Sequence, residues 1–165
     1  MKISMIIPTY TVTQELEMIT ATAIRSYRDQ VDELIIAEDG GMFSPLLFEA
    51  SDIYMSSHNQ GYVKNVNQAW QLAKGDYIMI ANSDTALRNG DLKDLCVPNK
   101  ITSPITAGQD VDLLAGHFFV VPHSMGLALL DERLHTFCSD ADLERRYGKK
   151  ILQVPDVEIY HEIGQ

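Results

Sequence analysis

The sequence has few cysteines and no long apolar run. Its 165 residues include two cysteines, Cys96 and Cys138, and their wide separation fits neither a disulfide framework nor a zinc site. We therefore expect two reduced thiols in a cytoplasmic protein. No apolar run approaches the roughly 18 residues that a membrane-spanning helix needs, and the first residues predict a strand, so we expect no signal peptide. A disulfide scaffold and a membrane-spanning protein are excluded.

Basic residues are also scarce. Thirteen lysines and arginines stand against 23 acidic residues, which gives a formal net charge of −10. Such a surface repels nucleic acid and anionic lipid, and no dense basic patch interrupts it. We expect no nucleic-acid partner, and a ligand that carries phosphate would need a metal ion or backbone N–H groups to offset the charge.

The common phosphate-loop motifs are missing as well. Neither GxGxxG nor GxxxxGK[ST] occurs in the chain. A plain dinucleotide-binding fold and a P-loop fold are therefore disfavoured.

The apolar residues that are present alternate between strand and helix patterns. Such alternation predicts one α/β domain over residues 1–165, with a mostly parallel central sheet flanked by helices on both faces. Strands are predicted at residues 2–7, 33–37, 52–56, 77–81, 118–121, 151–154 and 157–160. Helices are predicted after an N-cap at Thr11 or Thr13 and at residues 44–50, 62–73 and 139–147, with a short helix and irregular chain between 89 and 108.

Polar residues and glycines follow the predicted strands. Ligands of open parallel sheets bind beyond the carboxyl ends of the strands, so we expect these residues to converge on one edge. They are Pro8, Thr9 and Tyr10 after the first strand, Glu38 to Gly41 after the second, Ser57 to Gly61 after the third, Asn82 to Thr85 after the fourth, and His161 after the last.

Five segments in this order resemble glycosyltransferase family 2, which has the GT-A fold of nucleotide-diphospho-sugar transferases, and within it a short form of the rhamnosyltransferase-like branch. The opening ISMIIPTY, then Ser26, Gln30 and ELIIAEDGG, resemble the first half of the family pattern. NQGYVKNVNQAWQLAKGDYIMIANSDTAL resembles its middle and its metal motif. LDERLHTFCSDADLERRYGKKILQVPDVEIYH resembles its closing part, which ends in a histidine.

The resemblance implies a role for each matching residue. Asp39 would hydrogen-bond the nucleotide base, Asp84 would ligate Mn²⁺ or Mg²⁺ with His161 beside the metal, and Asp140 would be the general base. The remaining nucleotide-sugar positions that it implies are Pro8, Thr9, Tyr10, Glu38, Asn59, Gly61, Asn67, Asn82 and Ser83.

The function implied is that of a metal-dependent inverting glycosyltransferase of hexosyl or rhamnosyl type. It would move a sugar from a UDP-, dTDP- or GDP-linked donor to a hydroxyl of a glycan or a lipid-linked saccharide. A divalent cation would neutralise the leaving diphosphate, and a carboxylate on the opposite face would take the proton of the acceptor. Direct displacement with one base inverts the anomeric centre. The oligomeric state stays open, a homo-oligomer included.

Local chemistry leaves simpler interpretations open. Asn, Ser and Asp after a strand also form ordinary turns, and so does Asp39 before two glycines. Asp140 also fits the first turn of a helix capped by Ser139. His117 fits a structural histidine as well as one that faces the acceptor, and His161 fits a plain chain-end position.

Two other functions remain as alternatives. A non-catalytic nucleotide-sugar-binding module, or a subunit that needs a partner, is favoured by Ser139 where the family has a glutamate and by the short chain. A nucleotidyltransferase would need a basic, glycine-rich loop after the first strand, and PTYTVTQE has no Lys or Arg there.

Overall fold

A computed structural model describes residues 1–109, 114, 116–125, 130–134 and 139–162. Cys96 is free, whereas Cys138 and residues 135–137 of the closing segment of the family pattern lie outside the described residues. The strands are β1 (Ile3–Thr9), β2 (Glu33–Asp39), β3 (Ile53–Ser57), β4 (Tyr77–Ala81), β5 (Thr85–Asn89), β6 (Ile101–Thr106), β7 (Phe118–Pro122) and β8 (Ile151–His161). The helices are α1 (Gln14–Tyr27), α2 (Pro45–Ala50), α3 (Tyr62–Trp70) and α4 (Ser139–Tyr147).

The described strands form one sheet in the order β3-β2-β1-β4-β7-β6-β8-β5. The first four strands in this order pair in parallel. The second half is mixed, because β7 is antiparallel to β4 and β6, β5 is antiparallel to β8, and β6 and β8 are parallel. The predicted α/β sheet with flanking helices is confirmed, and the antiparallel pairs belong to its second half.

Two apolar layers cover the two faces of the sheet. Successive strand residues point to opposite faces, so Met5 and Ile7 pack in one layer with residues of α1, while Ile6 packs in the other with residues of α3 and α4. Every residue of β1 is buried, as expected for a strand with a parallel neighbour on each side and helices above and below.

The helices α1 and α2, which pack on the same face of the sheet as Met5 and Ile7, each begin at a side-chain N-cap, as the sequence predicts. The Thr13 side chain accepts a hydrogen bond from the Leu16 N–H at the start of α1. The Ser44 side chain accepts one from the Leu47 N–H, and Pro45 occupies the first turn of α2. These caps satisfy N–H groups that a helix start leaves unpaired.

The structure corrects the prediction between residues 85 and 106. Only a short 3-10 turn, Leu92–Leu95, matches the predicted helix, while β5 and β6 are strands that the sequence analysis missed. β5 lies at the end of the sheet, with one neighbour and two exposed residues. β6 contains Pro104, which the sheet tolerates because the pairing with β8 shifts register directly after it.

The end of the chain forms one strand where the sequence predicts two. β8 runs from Ile151 to His161, but its pairing with β6 jumps from Val154 to Glu158. The three skipped residues include Pro155. The two predicted strands therefore correspond to the two paired segments of one bulged strand.

Gly75, just before β4, provides a test of the packing. A Cβ there would lie 2.5 Å from the Ser4 backbone nitrogen and 2.9 Å from the Tyr77 carbonyl oxygen, so Gly75→Ala forces backbone to move. We expect a loss of about 1–3 kcal/mol in the free energy of unfolding, measured by urea denaturation. Gly148→Ala is the matched control, because nothing lies within 4 Å of a Cβ at Gly148. Equal effects of the two substitutions would contradict this packing.

Candidate active site

A cavity of about 490 Å³, lined by both polar and apolar side chains, lies at the carboxyl ends of β1, β2 and β4. This is the edge at which the polar loops are expected to meet, and four of the five loops named above contribute residues to it. The lining residues are Pro8, Thr9, Tyr10, Leu16, Ile19, Asp39, Asn59, Gly61, Tyr62, Asn65, Asn82, Ser83 and Asp84.

Asp39 forms one side of the cavity and fixes the start of α3. Its Oδ1 accepts a hydrogen bond from the Gln60 N–H at 2.8 Å, and its Oδ2 accepts one from the Gly61 N–H at 2.9 Å. Gly61 has a φ of 91°, which favours glycine. The Ser57 hydroxyl also donates to the Oδ1, at 3.5 Å. Since each carboxylate oxygen has a second acceptor position, the Oδ2 keeps the capacity to accept a hydrogen bond from a ligand.

Glu38, the residue before, is fully buried and does not line the cavity. Its carboxylate accepts hydrogen bonds from the Thr11 N–H at 3.1 Å and from the Gly41 N–H at 2.8 Å. The loop after β1 and the loop after β2 are thereby tied to one buried charge. The resemblance implies contact with the nucleotide, but the geometry gives Glu38 a positioning role.

Asp84 and His161 meet on the opposite side of the cavity. β5 begins directly after Asp84 and pairs with β8 in a register that sets Thr85 opposite His161. The Asp84 Oδ2 consequently lies 3.4 Å from the His161 Nε2, and the Asp84 carbonyl accepts a hydrogen bond from the Glu162 N–H. The loop is further fixed by the Asn82 N–H, which donates to the His117 carbonyl at 2.8 Å.

His161 stacks on a second histidine. The rings of His117 and His161 are nearly parallel, 9° apart, with centroids separated by 4.0 Å. The His117 Nε2 is 2.8 Å from the Thr106 Oγ1 on β6, and the His161 Nδ1 is 3.5 Å from the Gln109 Nε2. Burial, together with the neighbouring His161, lowers the pKa of His117 to about 4. His117 is therefore neutral near pH 7.

All four buried side-chain atoms that lack a hydrogen-bond partner among the described residues belong to residues that line this one cavity. They are the Tyr62 hydroxyl, the Asn65 Oδ1, the Asn82 Oδ1 and the Asp84 Oδ1. Buried polar groups are nearly always hydrogen-bonded, so their concentration at one place indicates a site for a polar ligand.

Asp140 lies in the first turn of α4 and packs against Gly116, the residue before His117. Its Oδ1 accepts a hydrogen bond from the Ala141 N–H at 2.8 Å, and its Oδ2 would lie 2.7 Å from a Cβ placed on Gly116. Burial, with the Asp140 charge as a smaller contribution, raises the pKa of the Tyr62 hydroxyl. Asp140 thus neighbours the cavity through Tyr62 and Gly116 but is not one of its lining residues.

The structure separates the implied site residues into two groups. Nine of them line the cavity: Pro8, Thr9, Tyr10, Asp39, Asn59, Gly61, Asn82, Ser83 and Asp84. Asn67 does not, because its side-chain amide bonds the backbone of Leu130 at 3.0 and 3.2 Å and so holds that segment against α3. Glu38 and Asp140 lie behind the lining, and His161 contacts it through Asp84.

Sequence reasoning missed Tyr62 and Asn65 as site residues. Both lie on the face of α3 that also carries Val66 and Ala69, at the three- and four-residue spacing of a helix. A polar amide on this apolar face is a signal that the sequence contains, and it indicates either a buried hydrogen bond or a ligand.

Asp84 and His161 have the chemistry of a partial cation site. No group of three or more acidic, histidine or cysteine side chains that could hold a metal ion occurs among the described residues. Mg²⁺ and similar ions in phosphate sites use one or two carboxylates and take their other ligands from substrate phosphates and water. The Asp84 Oδ1, which has no hydrogen-bond partner among the described residues, and the imidazole of His161 fit such a site.

Solved structures with the same fold come from several organisms. The crystal structure of glucosyl-3-phosphoglycerate synthase from Mycobacterium tuberculosis in complex with Mn²⁺, UDP and glucosyl-3-phosphoglycerate has a TM-score of 0.75 at 15% identity, over 99% of this chain and 73% of that one. The mannosyltransferase PcManGT from Pyrobaculum calidifontis, in complex with GDP-Man and Mn²⁺, has a TM-score of 0.75 at 12% identity, over 99% of this chain and 57% of that one. S. aureus TarS has a TM-score of 0.75 at 17% identity, over 99% of this chain and 37% of that one.

These similarities define the class as an α/β protein with the GT-A fold. The chain also matches the profile of glycosyl transferase family 2 over residues 4–96, which is more than half of its length, and it belongs to that family. No curated protein matches the chain significantly. None of the described helices is long and apolar enough to cross a membrane.

The buried His117 predicts an acid-sensitive stability. Its pKa is about 4 in the folded protein and about 6.5 in an unfolded chain, so the unfolded state binds more protons between these values. Stability that is present above about pH 6.5 is lost as the pH falls towards 4. We expect His117→Gln to flatten this loss, measured as the melting temperature from pH 7.5 to 4. His58→Gln, at an exposed position, is the control, and identical pH profiles for both variants would contradict the prediction.

Proposed function

We propose that this chain is a metal-dependent inverting glycosyltransferase that transfers a sugar from a nucleoside-diphosphate donor to a hydroxyl acceptor. One observation carries the proposal: the four buried polar atoms without a partner among the described residues all belong to residues that line one cavity at the carboxyl ends of the strands. Three of these atoms only accept hydrogen bonds, so ligand hydroxyl groups, together with a cation at Asp84, would satisfy such a set. Membership of glycosyl transferase family 2 supports the reaction class.

The cation is proposed from chemistry as well as from the neighbours. Two of the neighbours are complexes with Mn²⁺ together with UDP or GDP-Man. On a chain with a net charge of −10, a diphosphate needs a positive charge close by. Asp84, assisted by His161, would hold Mn²⁺ or Mg²⁺. The bound ion would neutralise the charge that develops on the departing diphosphate.

The nucleotide end of the donor is proposed to lie at Asp39. Its carboxylate would accept a hydrogen bond from a base N–H while it continues to hold the Gln60 and Gly61 amides. The half-exposed Tyr10 ring, together with Thr9, lines the same side. UDP-, dTDP- and GDP-linked donors all offer a base N–H, so this contact does not select among them.

Asp140 is proposed to be the general base. A carboxylate that removes the proton from an attacking hydroxyl must lie on the face of the sugar away from the diphosphate. Asp140 lies against Gly116, and His117, the residue after Gly116, stacks on His161 beside Asp84. One base acting in a direct displacement inverts the anomeric centre, and a hexose or rhamnose is the proposed sugar.

A binding module without turnover is the second candidate. Two observations favour it: Asp140 does not line the cavity, and its Oδ1 already accepts the Ala141 N–H, as an acid in the first turn of a helix does. The acceptor, a glycan or a lipid-linked saccharide in the proposal, is open in either case, because the chain spans between 37% and 73% of the three neighbours described above.

Asp84→Asn tests the cation site. The substitution keeps the size of the side chain and removes its charge, so we expect Mn²⁺ to lose its effect on donor binding. The measurement is the melting temperature with UDP-glucose or GDP-mannose, with and without Mn²⁺, because a ligand of the native state raises it. Asp94→Asn removes the same charge at an exposed position in the Leu92–Leu95 turn. The assignment is wrong if Asp84→Asn keeps the wild-type response to Mn²⁺.

Asp140→Asn tests the base. We expect a loss of roughly 10²- to 10⁴-fold in transfer rate with donor affinity retained, because only the proton acceptor is removed. Asp142→Asn is the matched control in the same turn, where Asp142 forms ion pairs with Arg145 and Arg146. We expect this control to transfer sugar at the wild-type rate. Unchanged turnover in Asp140→Asn contradicts the base assignment, and donor binding without turnover in the wild type supports the binding module.

A further inference from the structure

Asn65 is fully buried, and of the two polar atoms of its side-chain amide only the nitrogen has a hydrogen-bond partner among the described residues. It lies on the face of α3 that packs on β2, and its Nδ2 donates a hydrogen bond to the Ala37 carbonyl at 2.6 Å. This bond fixes the orientation of the amide, because the opposite orientation would set two acceptor oxygens against each other. Asn65 is one of the residues that line the cavity, and its buried Oδ1 has no hydrogen-bond partner among the described residues.

The chemistry of the Oδ1 restricts what it binds. An amide oxygen only accepts hydrogen bonds, so phosphate oxygens, which also accept, do not satisfy it. The ligand group must carry an O–H or an N–H. In a nucleoside-diphosphate sugar these are the hydroxyls of the ribose, the hydroxyls of the transferred sugar and the N–H groups of the base.

Tyr62 narrows the choice to a hydroxyl. It precedes Asn65 by three residues on the same face of α3, and its own hydroxyl is buried without a partner among the described residues. A tyrosine hydroxyl both donates and accepts. A ligand hydroxyl donates to the Asn65 Oδ1 and accepts from the Tyr62 O–H, whereas an N–H group satisfies only the first.

We propose that Asn65, with Tyr62 as its second partner, recognises one hydroxyl group of the nucleotide-sugar donor and makes the site specific for it. This inference rests on the proposed function. The hydroxyl belongs either to the ribose or to the transferred sugar, and the two sources share the same hydrogen-bond chemistry.

The expected signature is discrimination against a donor that lacks this hydroxyl. A site built to hydrogen-bond a hydroxyl rejects the deoxy analogue, because a buried acceptor is then left unpaired. Loss of one such buried bond corresponds to roughly 10- to 100-fold in affinity. Asn65→Leu removes the acceptor, so it should bind the complete and the deoxy donor within about 2-fold of each other. The lost bond to Ala37 affects both donors equally and cancels in this ratio.

The experiment measures dissociation constants by calorimetry in the presence of Mn²⁺. The probe is UDP-glucose or GDP-mannose, whichever binds the wild type more tightly. It is compared with its 2′-deoxy and 3′-deoxy ribose forms and with its monodeoxy sugar forms. Thr102→Val is the matched control, because it removes another buried side-chain bond to backbone, from the Thr102 Oγ1 to the Leu95 carbonyl, outside the cavity. Tyr62→Phe is a second variant that breaks no hydrogen bond of the described protein.

We expect one deoxy form to bind the wild type and Thr102→Val at least 10-fold more weakly than the complete donor. We expect Asn65→Leu to lose this ratio and Tyr62→Phe to reduce it. A ribose deoxy form identifies the nucleoside as the source, and a sugar deoxy form identifies the transferred sugar.

Three results overturn the inference, and they differ in what they mean for the proposed function. If the wild type binds the donor but every deoxy form within 2-fold of it, or if both variants keep the wild-type ratio, the inference fails while the proposed function stands. The first of these results needs no variant to fold. If neither donor binds the wild type with Mn²⁺, the proposed function fails, and the inference fails with it.

Discussion

The antiparallel pairing of β5 with the end of β8 is the constraint on which the cavity depends. Asp84 ends the loop after a central strand, and His161 lies near the far end of the described chain. The register that sets Thr85 opposite His161 brings the Asp84 Oδ2 to 3.4 Å from the His161 Nε2. A shift of one residue in a strand pairing turns each side chain to the other face of the sheet. The site thus depends on a strand at the edge of the sheet rather than on the buried strands that stabilise the fold.

Buried polar groups around the cavity fall into two kinds with different consequences. Glu38 and Asp39 accept hydrogen bonds from backbone N–H groups and hold loops in place. Tyr62, Asn65, Asn82 and Asp84 each keep one atom without a partner among the described residues. The first kind gives the cavity its shape, and the second gives it its preference for a polar ligand. Both kinds are acidic or neutral, and no lysine or arginine is among the described residues that line the cavity.

The sequence predicted the central part of the fold because local patterns determine it. β1, β2 and β4 are continuous apolar runs, and Thr13 and Ser44 begin helices through their own side chains. β5 was missed because an edge strand with one neighbour needs few apolar residues. β6 was missed because Pro104 normally argues against a strand, and only the register of β8 explains its presence.

The site was predicted less evenly, for a related reason. Residues that directly follow central strands, such as Thr9, Asp39 and Asp84, do line the cavity. Asn67 and Asn65 are two residues apart on α3, yet Asn67 bonds the backbone of Leu130 whereas Asn65 lines the cavity. Which of the two asparagines lines the cavity depends on the rotation of the helix about its axis over the sheet. Strand order and helix packing determine that rotation, and a local motif does not.

The buried carboxylate of Glu38 has a consequence for the motion of the protein. Because it joins the loop after β1 to the loop after β2, we expect the wall formed by Tyr10 and Asp39 to move little when a ligand binds. Ordering of flexible loops is one of the main entropic costs of association, and preorganised walls avoid it. Binding on this side of the cavity should therefore need little ordering of the protein and cost little conformational entropy.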